Sequence, residues 1–410
     1  MGIITAAAGR RDGYQVPIAL AQSGLLAAHI TDHYLSDSLV PLFSKLAQNQ
    51  KNQFFATSLK RHHPDLPSSV VHCSRRLMLT KVAQGIYPPL KKYWCDDQDP
   101  ISWSALRLAR QHDAALLLHM GYAHHAFMAE PLDNRKRGLV QYHPHVGESS
   151  RILFDDLNSY PFLTDARDQI SVDVQDHTNQ EELERADLVI CNSQFSAQTC
   201  ISLGIHAERI NVIPFGIDIP VNSRPRASSS QNTQKCNFLF VGSGLHRKGL
   251  HHLLDAWKRA RLQHSKLTLV CRYIDPQIRV NFDLPSSVQL LTAVSSQHLD
   301  ELYRHSHVFV MPSLVEGFGY VYLEAMARGC FCLGTKNTGL PDISTADSAL
   351  LVPAANPAIL AKALAKLEEI ALTDGFDRQA IINCAVSWSW ARFRHNLVDV
   401  AQKSLLLNKQ

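Results

Sequence analysis

Apolar and polar positions along this chain come in blocks: short β-branched runs, each followed by a polar or glycine-bearing loop and then by a stretch of helical spacing. The first block is "GIITAAAG", followed by the loop "RRDGYQ", the helix-like "VPIALAQSG" and a second strand, "LLAAHITD". That order opens a βαβ unit. "AALLLHMGY" and "RGLVQYHPH" read as later strands, each closing in a histidine-bearing loop, and "NQEELERADLVICNSQFSAQTCISLGIHAERINVIPFGIDI" supplies helix, strand, helix and strand. Apolar runs buried on both faces and separated by helices indicate a parallel sheet. The stretch "PVNSRPRASSSQNTQK", residues 220–235, has almost no apolar content and reads as a linker. The pattern then restarts with "NFLFVGSG", "LTLVCRYID", "SVQLLTAV", "VFVMP" and "CFCLGT" as strands.

The expected fold is therefore α/β, with two Rossmann-like doubly wound domains facing across a cleft. The first should occupy 1–219 and the second 236–385. The last segment, 386–410, reads as a helix with Trp390, Phe393 and Leu397 at helical spacing, packing back on the first domain. A length of 410 residues suits two domains of ordinary size. Ligands of such sheets sit beyond the strands' carboxyl ends, which places them in the cleft.

Composition narrows the class. With 45% apolar and 19% charged residues the chain is globular. The early apolar stretch "VPIALAQSGLLAAHI" is broken by Pro17, Gln22, Ser23 and Gly24 and lacks a basic leader, so neither a signal peptide nor a membrane span is expected. Nine cysteines without framework spacing fit reduced thiols in a cytoplasm. The net charge of +4 conceals an asymmetry: residues 1–220 carry 20 Lys+Arg against 23 Asp+Glu, and residues 221–410 carry 21 against 14. The second half should favour an anionic ligand.

Two stretches of that half carry candidate chemistry. In "VFVMPSLVEGFGYVYLEAMARGC", a strand gives way to a glycine turn at Glu316 and then to a helix ended by Gly329. The first-turn amides of such a helix welcome a phosphate or sugar oxygen, and Gly317 and Gly319 allow close approach. Glu316 can accept from hydroxyls, while Glu324, leaning back along the helix, can accept both hydroxyls of a ribose. Alternatively, either glutamate is a surface or dipole-stabilising residue. In "FVGSGLHRKGLHHLLDAW", the strand end and Gly242 lead to Arg247 and Lys248 just before a helix. Two cations at a helix's positive end are unfavourable unless an anion joins them, and a diphosphate would do so.

On these residues the chain resembles the retaining glycosyltransferase family 4. "EGFGYVYLEAMARG" matches that family's E-x7-E signature, and "HRKG", "ERINVIPFGIDI", "ADLVICNS" and "NTGLPDI" fall in its order and spacing. The resemblance implies two Rossmann domains of the GT-B type, a nucleoside-diphosphate sugar (UDP- or GDP-linked) held by the second domain, and an acceptor held mainly by the first. It assigns the donor ribose to Glu324, the transferred sugar to Glu316 and the amides of Gly317, Phe318 and Gly319, and the diphosphate to Arg247 and Lys248. Ser243 departs from the pattern, since many members have an arginine there, and Arg247 becomes the substitute cation. Arg272, after "LTLVC", is placed near the base or diphosphate. Gly13 matches the family's first glycine loop, near the donor phosphate, and His143 matches a histidine at the reaction centre, with His145 and His119 as alternatives or structural histidines.

The family retains anomeric configuration, with the departing phosphate taking the acceptor's proton. No metal or further cofactor is needed for that. The Asp-x-Asp within "DDQD", residues 96–99, reads as a solvated turn rather than a metal clamp. Between residues 39 and 95, nine Lys/Arg (Lys45, Lys51, Lys60, Arg61, Arg75, Arg76, Lys81, Lys91 and Lys92) face one acid, Asp65. That excess is either a solvated face or a contact with anionic lipid or saccharide at the inner face of a membrane. No clear amphipathic helix accompanies the charge. The acceptor is a saccharide or lipid-linked molecule, and no nucleic-acid partner is expected. The competing readings are a nucleotide-sugar epimerase or hydrolase of the same architecture and a nucleotide-sugar binder without turnover.

Overall fold

The computed structural model describes residues 2–47, 53–73, 98–129, 135–167, 170, 177–218, 235–373 and 375–407. Its first sheet has seven parallel strands: β1 Ile3–Ala6, β2 Leu26–Thr31, β3 Val71–Cys73, β4 Ala115–His119, β5 Arg137–Gln141, β6 Leu188–Cys191 and β7 Ile210–Val212, in the order β3-β2-β1-β4-β5-β6-β7. The second has six: β8 Cys236–Val241, β9 Ser265–Val270, β10 Val288–Leu291, β11 Val308–Met311, β12 Phe331–Thr335 and β13 Ala349–Val352, in the order β10-β9-β8-β11-β12-β13. Both are doubly wound. In each, the chain reverses direction across the sheet between two central strands, β1 and β4 in the first and β8 and β11 in the second, and the crevice beyond those strand ends is where such folds hold ligands.

The sequence pattern has a direct physical cause in the central strands. Every residue of β1, β4, β11 and β12 is buried, so their apolar runs are continuous. The pattern leaves out two strands, β3 and β13. Each lies at a sheet edge, is at most four residues long and is only partly buried: β3 (VHC) is interrupted by exposed His72, while β13 (ALLV) is apolar throughout but short. Residues 219–234, nearly all of the expected linker, lie outside the described residues, as do Asp96 and Asp97; Gln98 and Asp99 begin the helix Gln98–His112 rather than a turn.

The two sheets are joined by an aromatic seam. Phe215, just past β7, stacks on Tyr320 with centroids 5.0 Å apart and meets the edges of Tyr142 at 4.5 Å and Phe318 at 5.1 Å. Here the chain also crosses itself. Ile217 N–H donates to the Trp388 carbonyl at 2.9 Å, and a Cβ on Gly216 would lie 2.3 Å from the Ser389 carbonyl carbon. The helix Trp390–Ala401 then returns to the first domain, burying Trp390, Phe393 and Leu397, while Arg394 donates to Gln15 Oε1 at 2.7 Å. It packs there on the helix Gln15–Gln22. Phe215→Ala should cost about 3–5 kcal/mol, the usual range for a buried phenylalanine, and lower the urea midpoint. An unchanged midpoint would show that the seam contributes little.

Candidate active site

Beyond β8 the chain turns through Gly242 and Gly244, makes one tight turn at His246–Lys248 and enters the helix Leu250–Ala260. Gly249 joins turn to helix at φ 68°, and a Cβ there would lie 2.0 Å from the Pro312 carbonyl oxygen. Only glycine satisfies both conditions. The close approach ties this turn to the loop after β11: the Arg247 carbonyl accepts from Leu314 N–H at 2.9 Å and Val315 N–H at 3.3 Å, and Glu316 N–H donates to the Asn337 carbonyl at 3.0 Å. The backbone thereby carries Glu316 to the two cations. Its Oε2 accepts from Arg247 Nη1 at 3.0 Å and from Lys248 Nζ.

Burial alone would raise the Glu316 pKa, but the charges of Lys248 and Arg247 outweigh it and hold the carboxyl below its ordinary range. Lys248 is lowered by burial, against the pull of Glu316. The pair is well shielded, with Lys248 and Glu316 side chains 13% and 14% exposed, whereas Arg247 is 46% exposed and partly hydrated. The "GFG" turn is wedged against the first domain. Ser193 Oγ donates to the Gly317 carbonyl at 2.5 Å, and a Cβ on Gly317 would lie 2.3 Å from the Tyr142 carbonyl oxygen. Gly319, at φ 85°, starts the helix Tyr320–Met326. One turn in, Glu324 accepts from Tyr303 O–H at 3.0 Å.

A cavity of 510 Å³ opens between the domains, lined by His143, Arg247, Glu316 and Gly317 with Met120 and Ser149 among the others. His143, beyond β5, is open to this cavity, and its pKa is lowered by burial between the domains and by the charge of Arg11. His145 does a different job. Its Nδ1 accepts from Gly147 N–H at 3.0 Å and caps the helix Val146–Leu157. His119 is buried at the end of β4 with its ring edge-on to Tyr142 and is pushed down to about 3 by burial and Arg11. Gly13, at φ 68°, lies in the turn after β1. The Gly242 amide is already committed to the Val270 carbonyl at 3.0 Å, and Arg272 is exposed beyond β9 and does not line the cavity.

Several contributors carry no sequence signal of their own. Asp12, in the same turn as Gly13, accepts from Tyr142 O–H at 3.0 Å, and burial raises its carboxyl to about 7 against that hydrogen bond and those from the backbone. Ser193 and Tyr142 act through contacts more than 100 residues away in the chain. The expected lack of an amphipathic helix is also corrected: Val40–Ala47 is a helix on which Leu42 is 52% and Leu46 36% exposed, next to exposed Leu39. Of the basic stretch, Lys45 and Lys60 are exposed, but Arg61 turns inward to Asp32 at 3.0 Å. Lys51, Arg75, Arg76, Lys81, Lys91 and Lys92 lie outside the described residues. No helix among the described residues is long and apolar enough to cross a membrane.

Two doubly wound domains with a charged cleft between them define the GT-B class of glycosyltransferase fold, and comparison with known proteins agrees. The model described as Glycosyltransferase Family 4 matches residues 70–220, and the one described as Glycosyl transferases group 1 matches 235–369. The chain belongs to this glycosyltransferase family. It is 27% identical over 257 residues to the D-inositol 3-phosphate glycosyltransferase of Corynebacterium urealyticum, covering 54% of this chain and 58% of that one. It is 25% identical over 232 residues to the MMP alpha-(1->4)-mannosyltransferase of Mycolicibacterium hassiacum, covering 53% and 54%. The chain thus spans a little over half the length of these relatives, and 35% of another, the phosphatidylinositol N-acetylglucosaminyltransferase gpi3 subunit of Schizosaccharomyces pombe, at 26% identity over 38% of this chain. Among solved structures, a glycosyltransferase from Rickettsia africae shares the fold with a TM-score of 0.56 at 14% identity, over 99% of both chains. HepE of Anabaena, solved with UDP-glucose, does so at 0.55 and 15%, over 98% of this chain and all of that one.

The Glu316 ion pairs make a pH signature. A carboxyl held below its unfolded value of 4.5 stabilises the fold above that pH, and the contribution disappears as pH falls through the lower folded value. Urea unfolding of wild type and Glu316→Gln should show a stability gap that is full near neutrality and shrinks below about pH 4.5. A gap independent of pH would mean that the carboxylate is not engaged.

Proposed function

We propose that the protein is a retaining glycosyltransferase that moves a sugar from a nucleoside-diphosphate sugar, UDP- or GDP-linked, to an acceptor hydroxyl in glycan or glycolipid synthesis. The observation that carries this reading is the convergence, on one interdomain cavity, of Arg247, Glu316, Gly317 and His143, with Lys248 bound to Glu316 and the helix Leu250–Ala260 starting beside it. The amides of that helix's first turn have no intrahelical acceptor, and together with two cations they suit a diphosphate. The relatives' printed activities are all sugar transfers, which supports the same reading.

In the mechanism that follows, the diphosphate occupies Arg247, Lys248 and the amides beyond Gly249. Lys248 leaves Glu316 as the phosphate arrives, freeing the carboxylate to accept from hydroxyls of the transferred sugar. Glu324, beneath the "GFG" turn, accepts from the ribose. As the glycosidic carbon–oxygen bond breaks, charge grows on the diphosphate and is stabilised by groups already in place. The acceptor oxygen attacks the same face, and its proton passes to the departing phosphate oxygen, so no metal is required at this step. His143, kept neutral by its surroundings, accepts a hydrogen bond from the sugar or acceptor. The acceptor enters along the first domain, where exposed Leu39, Leu42 and Leu46 beside Lys45 form a surface for a lipid-linked substrate or the membrane that holds it.

The test is turnover with a panel of donors, with and without acceptors, reading nucleoside diphosphate release and the anomeric configuration of the product by NMR. Lys248→Ala should lower transfer by about 100- to 1,000-fold, the usual cost of losing one charge-stabilising donor. Equal rates in the variant and wild type would contradict the assignment. The matching nucleoside diphosphate should raise the melting temperature of wild type and have much less effect on Lys248→Ala. Binding without release for any donor and acceptor would leave a nucleotide-sugar binder instead.

A further inference from the structure

Next to the loop that carries Arg247 and Lys248 lies a second polar cluster that the transfer mechanism does not use. Asp156, in the last turn of the helix Val146–Leu157, has a side chain only 2% exposed. Its Oδ2 lies 2.8 Å from His246 Nε2 and 2.9 Å from His251 Nε2, and its Oδ1 lies 2.6 Å from His252 Nε2. The three imidazoles are 4%, 0% and 3% exposed. The carboxylate comes from the first domain and all three imidazoles from the second. Tyr160 packs edge-on against His251 at 4.7 Å and His252 at 5.1 Å, and its hydroxyl lies 3.4 Å from His252 Nδ1.

Such a cluster needs a physical reason, because a buried carboxylate costs several kcal/mol unless it is compensated. Three neutral imidazoles donating from Nε2 would satisfy it by fixing one tautomer on all three rings; His251 Nδ1 is buried with no hydrogen-bond partner among the described residues whether Nε2 donates to the carboxylate or ligates an ion. A cation offers the alternative. Ligand atoms of Asp156, His246 and His251 all lie within 4.8 Å of one another. The two oxygen–nitrogen separations of 2.8 and 2.9 Å need to open by about 0.5 Å, and the two imidazole nitrogens, which lie within 4.8 Å of each other, need to stand about 3.3 Å apart, to sit around one ion at about 2.0–2.1 Å in tetrahedral geometry. Two imidazole nitrogens and a carboxylate oxygen are a donor set for late first-row divalent metals. His252, on the other carboxylate oxygen and itself reached by Tyr160, would orient the ligand carboxylate as outer groups commonly do.

We propose that Asp156, His246 and His251 form a site for a late first-row divalent cation, best suited to zinc, that ties the two domains together, with water completing the tetrahedron and His252 holding the free carboxylate oxygen. The ion is structural: it fixes His246, the residue before Arg247, and so steadies the cation loop against the first domain. Sequence inspection gives no hint of it, because Asp156 is 90 residues from His246. The proposal does not depend on the glycosyl-transfer reading.

The test uses the full chain, stripped with a chelator and titrated with Co²⁺ and then Zn²⁺. One equivalent of Co²⁺ should give the intense visible bands of a tetrahedral nitrogen–oxygen site, and Zn²⁺ should displace it. His252→Gln should weaken binding by about 10- to 100-fold, as loss of an outer partner does. His251→Gln and the near-isosteric Asp156→Asn should weaken it further, with circular dichroism confirming the fold. Should those variants not fold, wild type alone decides: Zn²⁺ should raise its melting temperature and chelator lower it. Absence of the visible bands, a melting temperature indifferent to both, or Zn²⁺ binding undiminished in His251→Gln and Asp156→Asn would overturn the proposal.

Discussion

The cleft is organised around one carboxylate shared by two cations. Glu316 accepts from both Arg247 and Lys248, and it can do so only because two loops from the switch point of the second sheet are locked together beneath it. The lock is built from backbone: Gly249 against Pro312, the Arg247 carbonyl taking two amides, and Asn337 holding Glu316. Taking one partner from a buried ion pair costs about 3–5 kcal/mol, because the other charge is left uncompensated. The cleft therefore holds its positive charge against an internal anion, and under the proposed function a diphosphate would exchange one anionic partner for another without exposing the lysine.

The same logic explains why the domains meet as they do. The "GFG" turn reaches across to Ser193 and Tyr142, and the Phe215 seam packs directly behind it, so this end of the cleft is shaped by both domains. Asp12 and Tyr142 share a hydrogen bond at the edge of this arrangement, with burial keeping the carboxyl close to the point of protonation. On the neighbouring side of the cation loop, Asp156 and its histidines join the same two domains by polar contacts. Aromatic packing and this cluster thus flank the charged loop and fix it in place.

Much of the architecture is legible in the sequence, because buried parallel strands are written as continuous apolar runs and their loops as glycine and charge. β11, the "GFG" turn and the following helix can be read in order from Val308 to Gly329. The edge strands β3 and β13 are too short to stand out, and in β3 the exposed His72 breaks the apolar run. Among site residues, Arg247, Lys248 and Glu316 stand out because their local setting is unusual. His145 is spent on a helix cap, and Arg272 is exposed beyond β9 and does not line the cavity. Asp12, Ser193 and Asp156 act through partners far away in the chain, and nothing in their immediate neighbours marks them.

The Arg247–Lys248 pair, held ready by Glu316, is the proposed diphosphate site. A structure of the protein with bound nucleoside diphosphate tests it most directly. Phosphate oxygens should then lie within hydrogen-bonding distance of Lys248 Nζ and Arg247, with Lys248 turned away from Glu316. Nucleotide bound elsewhere, or bound while the Lys248–Glu316 contact stays intact and untouched by phosphate, would contradict it.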